Sequence, residues 1–166
     1  MHFDRALAVG IYEHALSASI IRLKRSPYIA KRVRRLLDEA LMRVPTDEST
    51  LIIPIPLSRK RRQERGFNQA EVVARSLARV SGLRIDGNSL VRKVHTPMHR
   101  AGMDKKARAM TVKNAFEVVR PKLIKGRSIL LIDDVFTSGE TASMCAKVLK
   151  KNGAATVNVL TIARAA

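Results

Sequence analysis

Tryptophan is absent, cysteine occurs once, and the 166-residue chain sets only 14 acidic side chains against 32 basic ones. Each shortage excludes something. The lone Cys145 can form neither an intrachain disulfide nor a cysteine-rich zinc site, and a reduced, cytoplasmic setting is expected. With aromatics at 4%, any core must rest on Leu, Ile, Val, Ala and Met. No apolar run approaches the roughly 18 to 20 residues that cross a bilayer. The N-terminal stretch MHFDRALAVGIYEHALSASI lacks a basic leader ahead of continuous apolar sequence, so a secretory signal is not expected. Hydrophobic residues still make up 46%, enough for one α/β domain with a single core over residues 1–166.

The net charge of +18 is unevenly placed. Residues 1–50 carry nine basic and six acidic side chains, residues 51–126 eighteen and five, and residues 127–166 five and three. The middle of the chain thus holds +13, which suits a polyanion-binding surface and equally a general solubility adaptation.

Hydrophobic periodicity places most elements. Residues 3–24 are expected as a helix or pair of helical turns, and residues 1–45 as an N-terminal helical segment. Within it, Tyr28 to Arg43 is clearly amphipathic, with Ile29, Val33, Leu36, Leu37, Ala40 and Leu41 on one face; that face is either core or a homodimer contact. Leu51 to Ile55 reads as a strand entering a stiff turn at Pro54 and Pro56, followed by the basic stretch SRKRRQERGFN. Asn68 is placed to cap a helix carrying Ala70, Val73, Ala74, Leu77 and Ala78, which ends at Ser81-Gly82. Strands are expected at Leu90 to Val94 and Ala115 to Val119, with the basic segment Thr96 to Asn114 between them. Ser128 to Asp133 reads as a strand buried on both faces of a parallel sheet. A loop from Asp134 to Gly139, a helix stopped by Asn152-Gly153, and a strand from Val157 to Ile162 complete a βαβ unit. The fold expected is α/β, with a mainly parallel central sheet flanked by helices.

Ligands of open α/β sheets bind at the carboxyl ends of the strands. Asp133 and Asp134 fall at such an end, where a carboxylate must find partners to offset desolvation. The vicinal hydroxyls of a ribose are suitable donors. The following Thr137, Ser138, Gly139, Glu140 and Thr141 open a helix, so amide N–H groups, hydroxyls and the helix dipole converge on one anion. An acidic strand end and a Ser/Thr helix start also occur without any ligand. The full string ILLIDDVFTSGET favours a ribose 5-phosphate, and the missing G-x-x-x-x-G-K-[ST] frame excludes a nucleotide P-loop.

That string resembles the phosphoribosyl-diphosphate motif of type I phosphoribosyltransferases. IPIPLSRKRRQERGFNQAEVVA and TPMHRAGMDKKARAMTVKNAFEV are similar to two further segments of the ComF family, associated with DNA uptake in natural competence. The resemblance spans nearly all of residues 12–164. It implies a type I phosphoribosyltransferase-like fold, phosphoribosyl diphosphate as ligand, and Mg²⁺ held mainly through that ligand. Two positions depart from the pattern: His99 replaces the usual Gln and Thr111 the usual Asn. The four-cysteine zinc module of many members cannot be built with one Cys.

On this reading Asp133 and Asp134 position the ribose in catalysis. Pro56, Arg65, Asn68 and Gln69 face the diphosphate, Asn68 also being a plain helix cap. Arg100, Lys105, Lys106 and Arg108 belong to a hood over the ligand, while Cys145 is a small buried apolar residue. Three functions fit: a phosphoribosyltransferase, an accessory protein binding single-stranded DNA or a competence-system partner, and a ligand sensor without turnover. Few aromatics interleave the basic stretches, as a base-stacking surface would need.

Overall fold

The computed structural model describes residues 1–93 and 115–165. Along the chain run β1 (Arg5–Ile11), α1 (His14–Leu23), α2 (Lys31–Leu41), β2 (Leu51–Pro54), α3 (Arg59–Arg65), α4 (Gln69–Ser81) and β3 (Arg84–Ile85). There follow β4 (Leu90–Arg92), β5 (Phe116–Val118), α5 (Pro121–Ile124), β6 (Ser128–Phe136), α6 (Glu140–Lys151) and β7 (Thr156–Arg164). Five strands form one parallel sheet in the order β1-β7-β6-β2-β3, and β4 pairs antiparallel with β5 as a separate ribbon.

The central strand explains the arrangement. Ile129 to Ile132 on β6 are all at most 1% exposed, so both faces of the sheet must be covered. Leu130 and Ile132 pack with Ile20 and Leu23 of α1, Val33 and Leu37 of α2, and Val73 and Leu77 of α4. Ile129 and Leu131 pack the other way, against Cys145, Ala146 and Leu149 of α6 and Leu90 and Phe116 of the ribbon. Of the two roles open for the apolar face of α2, the structure takes core: Val33, Leu37, Ala40 and Leu41 are buried. Gly82 closes α4 at φ +72, a left-handed conformation that costs other residues roughly 1–2 kcal/mol.

Two expectations are corrected, and one element is added. The first half of residues 3–24 is strand, not helix: Arg5–Ile11 pairs in register with β7, Leu7 opposite Leu160. Leu7, Val9 and Ile11 alternate with the small Ala6, Ala8 and Gly10, a period of two that suits a strand, and pairing with β7 realises it. The N-terminal segment is therefore mixed, with the helix beginning only at His14. The basic stretch after Pro56 contains a helix, α3, whose Ser58 side chain caps it by accepting from the Arg61 N–H. It has no buried residue, so no hydrophobic period announced it. Last, β6 does not end at Asp133. It runs to Phe136, with Val135 opposite Ala163 and Phe136 opposite Arg164 on β7, so the loop shortens to Thr137–Gly139.

Candidate functional site

The carboxyl ends of β2 and β6 lie side by side, and the site is built there. Ile55 donates its N–H to the Ile132 carbonyl at 2.9 Å, so the Pro54-Ile55-Pro56 turn leaves the sheet beside the acid pair. Asn68 fixes that turn from behind. Its Nδ2 donates to the Ile55 carbonyl at 3.0 Å and its Oδ1 accepts the Ala70 N–H at 3.1 Å, capping α4. Both ends of this buried amide are committed to the fold, so Asn68 shapes the turn. Its neighbour Gln69 is 1% exposed, and its Nε2 has no acceptor. Pro56 and Arg65 are half-buried on either side of α3.

Asp133 and Asp134 are both half-buried, and Asp133 accepts the Asp134 N–H at 2.9 Å. Burial, and after it the Asp134 charge, pushes the Asp133 carboxyl up to about 7. On the far side Lys24, at the end of α1, places its Nζ 3.7 Å from Asp134 Oδ2. Two carboxyls and one ammonium thus cluster at the end of β6, and Asp133 is the acid whose charged form burial disfavours.

A solvent-open cleft of about 280 Å³ adjoins them, lined by Asp133, Phe136, Thr137, Gly139, Thr141 and Thr161 among others. Gly139 stands at φ +74, and a Cβ there would meet Phe136 Cζ at 2.6 Å. Only glycine lets the chain turn this tightly into α6. No side chain caps α6. Apart from the Glu140 N–H, which Ser138 Oγ accepts, its first-turn amides are available to an anion, with the exposed Thr137 and Ser138 beside them. Glu140 is exposed in the first turn, where its N–H faces Ser138 Oγ at 3.4 Å. The structure therefore brings Asp133, Asp134, Thr137, Gly139, Thr141 and the Pro56 turn to one end of the sheet. Arg100, Lys105, Lys106, Arg108, His99 and Thr111 lie outside the described residues.

Lys24 and Thr161 were not anticipated. Nothing local to either marks it, since each reaches the acid pair only through the fold.

With this geometry in place, similarity to known proteins becomes informative. The chain is 33% identical to the DNA utilization protein YhgH of Salmonella typhi, over 98% of its own length and 73% of that protein. It is 34% identical to competence protein F of Haemophilus influenzae, over 98% of its length and 74% of that protein. The chain belongs to the ComF family. Competence protein ComFC of Bacillus subtilis is 32% identical across 74% of the chain and 48% of that protein. No protein-family model matches the sequence. Among solved structures, the glutamine phosphoribosylpyrophosphate amidotransferase of B. subtilis complexed with ADP and GMP aligns with a TM-score of 0.52 at 15% identity. The match covers 78% of this chain and 26% of that one. An allosteric regulatory enzyme of purine biosynthesis aligns at 0.51 and 16%, covering 78% and 25%. This ComF-family chain therefore has the type I phosphoribosyltransferase fold. No helix among its described residues is long and apolar enough to cross a membrane.

Proposed function

We propose that the protein binds phosphoribosyl diphosphate with Mg²⁺ at the β6–α6 loop, and that it can transfer the phosphoribosyl group with release of diphosphate. The observation carrying this reading is the first turn of α6, without a side-chain cap from Gly139, beside a half-buried acid pair. A 5-phosphate fits the amides and hydroxyls of Thr137 to Thr141, and the ribose hydroxyls reach Asp133 and Asp134. The buried Gln69 Nε2, left without an acceptor, supports an anionic group near the Pro56 turn.

In transfer, the bond from the anomeric carbon to the diphosphate oxygen breaks and a bond to the acceptor forms. Positive charge grows on the ribose, and on this reading the Asp134 carboxylate, with Asp133 when ionised, would stabilise it. Lys24 balances the Asp134 charge from the other side. Mg²⁺ carried by the ligand's diphosphate and hydroxyls would neutralise the departing charge.

Calorimetry with phosphoribosyl diphosphate and Mg²⁺, beside an Asp133→Ala, Asp134→Ala double variant, tests binding. Diphosphate release with a panel of bases and amines tests turnover. Micromolar binding lost in the variant supports the reading, and release with any acceptor makes the protein an enzyme. Binding without release makes it a sensor.

A second reading has its own support. The relatives carry names for DNA utilization and competence, and residues 51–126 hold +13 of charge. On that reading the basic middle of the chain holds single-stranded DNA or a competence-system partner, and the phosphoribosyl site regulates it.

A further inference from the structure

Arg92 is in an unusual place for a charge. It ends β4, two residues after Leu90, and alternate residues of a strand share a face. Leu90 is 2% exposed and packs into the core beneath α6, so Arg92 is directed inward as well. Its antiparallel partner is the buried Phe116, and the Arg92 guanidinium lies 5.3 Å from the centre of that ring. Arg92 Nε is buried without an acceptor, and among the described residues no carboxylate lies within ion-pairing distance.

The surroundings make this costly. Burial, and behind it the charge of Arg61 on α3, disfavours the charged form of Arg92. Phe116, beneath the guanidinium, packs with Ala142, Cys145 and Ala146, so Arg92 lies beside the N-terminal half of α6. An inward cation with an idle donor and a second cation beside it is the arrangement an anion completes. A neighbouring ring holds the guanidinium plane in position before any anion arrives.

We infer that Arg92 is a binding residue for the diphosphate group of the ligand, distinct from the α6 amides that take the 5-phosphate. This rests on the phosphoribosyl reading above and adds a specific contact for the leaving group. Guanidinium and phosphate oxygens match as a bidentate pair, and the ligand supplies the acceptors that the fold withholds.

The test compares three probes by calorimetry with Mg²⁺: phosphoribosyl diphosphate, inorganic diphosphate and ribose 5-phosphate. They are titrated into wild type, Arg92→Met and Arg92→Lys, with melting temperatures taken alongside. Arg92→Met should lose about tenfold or more in affinity for the two diphosphate-bearing probes, while ribose 5-phosphate binds within about twofold of wild type. Arg92→Lys should recover part of the loss. A lower melting temperature with unchanged affinity for all three probes would make Arg92 purely structural and overturn the inference. If wild type binds ribose 5-phosphate but not diphosphate, the inference falls and the phosphate-loop reading stands. If diphosphate alone binds, dependent on Arg92, the inference stands and the phosphoribosyl reading falls. If no probe binds folded wild type, both fall.

Discussion

A proton on Asp133 near neutral pH has a consequence for stability that can be signed. The carboxyl titrates near 4 when unfolded and about 7 when folded, so the native state binds the proton more tightly. Its contribution is fully present below about pH 4 and is lost as pH rises toward 7. In ligand-free, metal-free protein, Asp133→Asn removes that loss while keeping an oxygen for the Asp134 N–H. The variant should therefore be more stable than wild type at pH 8, by on the order of 1–4 kcal/mol, and equal to it at pH 4. Denaturant unfolding across this range checks it; a variant less stable than wild type at pH 8 would contradict this picture. Asn68 makes the opposite kind of prediction. Asn68→Ala leaves the Ile55 carbonyl and the Ala70 N–H unpaired, and should cost about 1–3 kcal/mol in the same assay. Cys145, 0% exposed with its thiol pushed well up by burial, should react with a thiol reagent only on unfolding.

Among the elements, the ones readable from sequence carry their own period. α2 and α4 repeat apolar residues on one face, and β6 begins as a bare apolar run; each lies where the pattern put it, except that β6 continues past Asp133 to Phe136. α3 was illegible because it buries nothing. β1 carries a short alternation of Leu7, Val9 and Ile11 that the helical reading passed over, and pairing with β7, more than a hundred residues downstream, makes it a strand. The site divides the same way. The proposed phosphate loop is contiguous, so residues 133 to 141 could be named from sequence. Lys24 and Thr161 come beside it only because α1 and β7 pack around β6, and the inferred role of Arg92 depends likewise on the β4–β5 ribbon. The β6–α6 turn depends on one residue: Gly139→Ala must place a Cβ against Phe136 at positive φ. A stability loss of about 1–2 kcal/mol, with a larger proportional loss of ligand affinity, is the expected outcome by unfolding and calorimetry.

For the whole molecule, the fold and the charge make separate demands. The sheet, covered on both faces, presents one ligand end, while the excess of cations is concentrated in residues 51–126. If single-stranded DNA binds there, its affinity should fall steeply with salt, by about 0.7 in log K per log salt for each phosphate contacted. Filter binding at several ionic strengths would detect that slope, and a flat dependence would separate the charge from DNA handling. The central claim concerns the other end of the molecule, that the β6–α6 loop holds a phosphoribosyl group. The most direct measurement is an amide ¹H–¹⁵N NMR titration with phosphoribosyl diphosphate and Mg²⁺. The account predicts the largest shifts at Thr137 to Ala142, with Asp133 and Asp134 following. Saturable binding whose shifts fall elsewhere, leaving those amides unmoved, would contradict it.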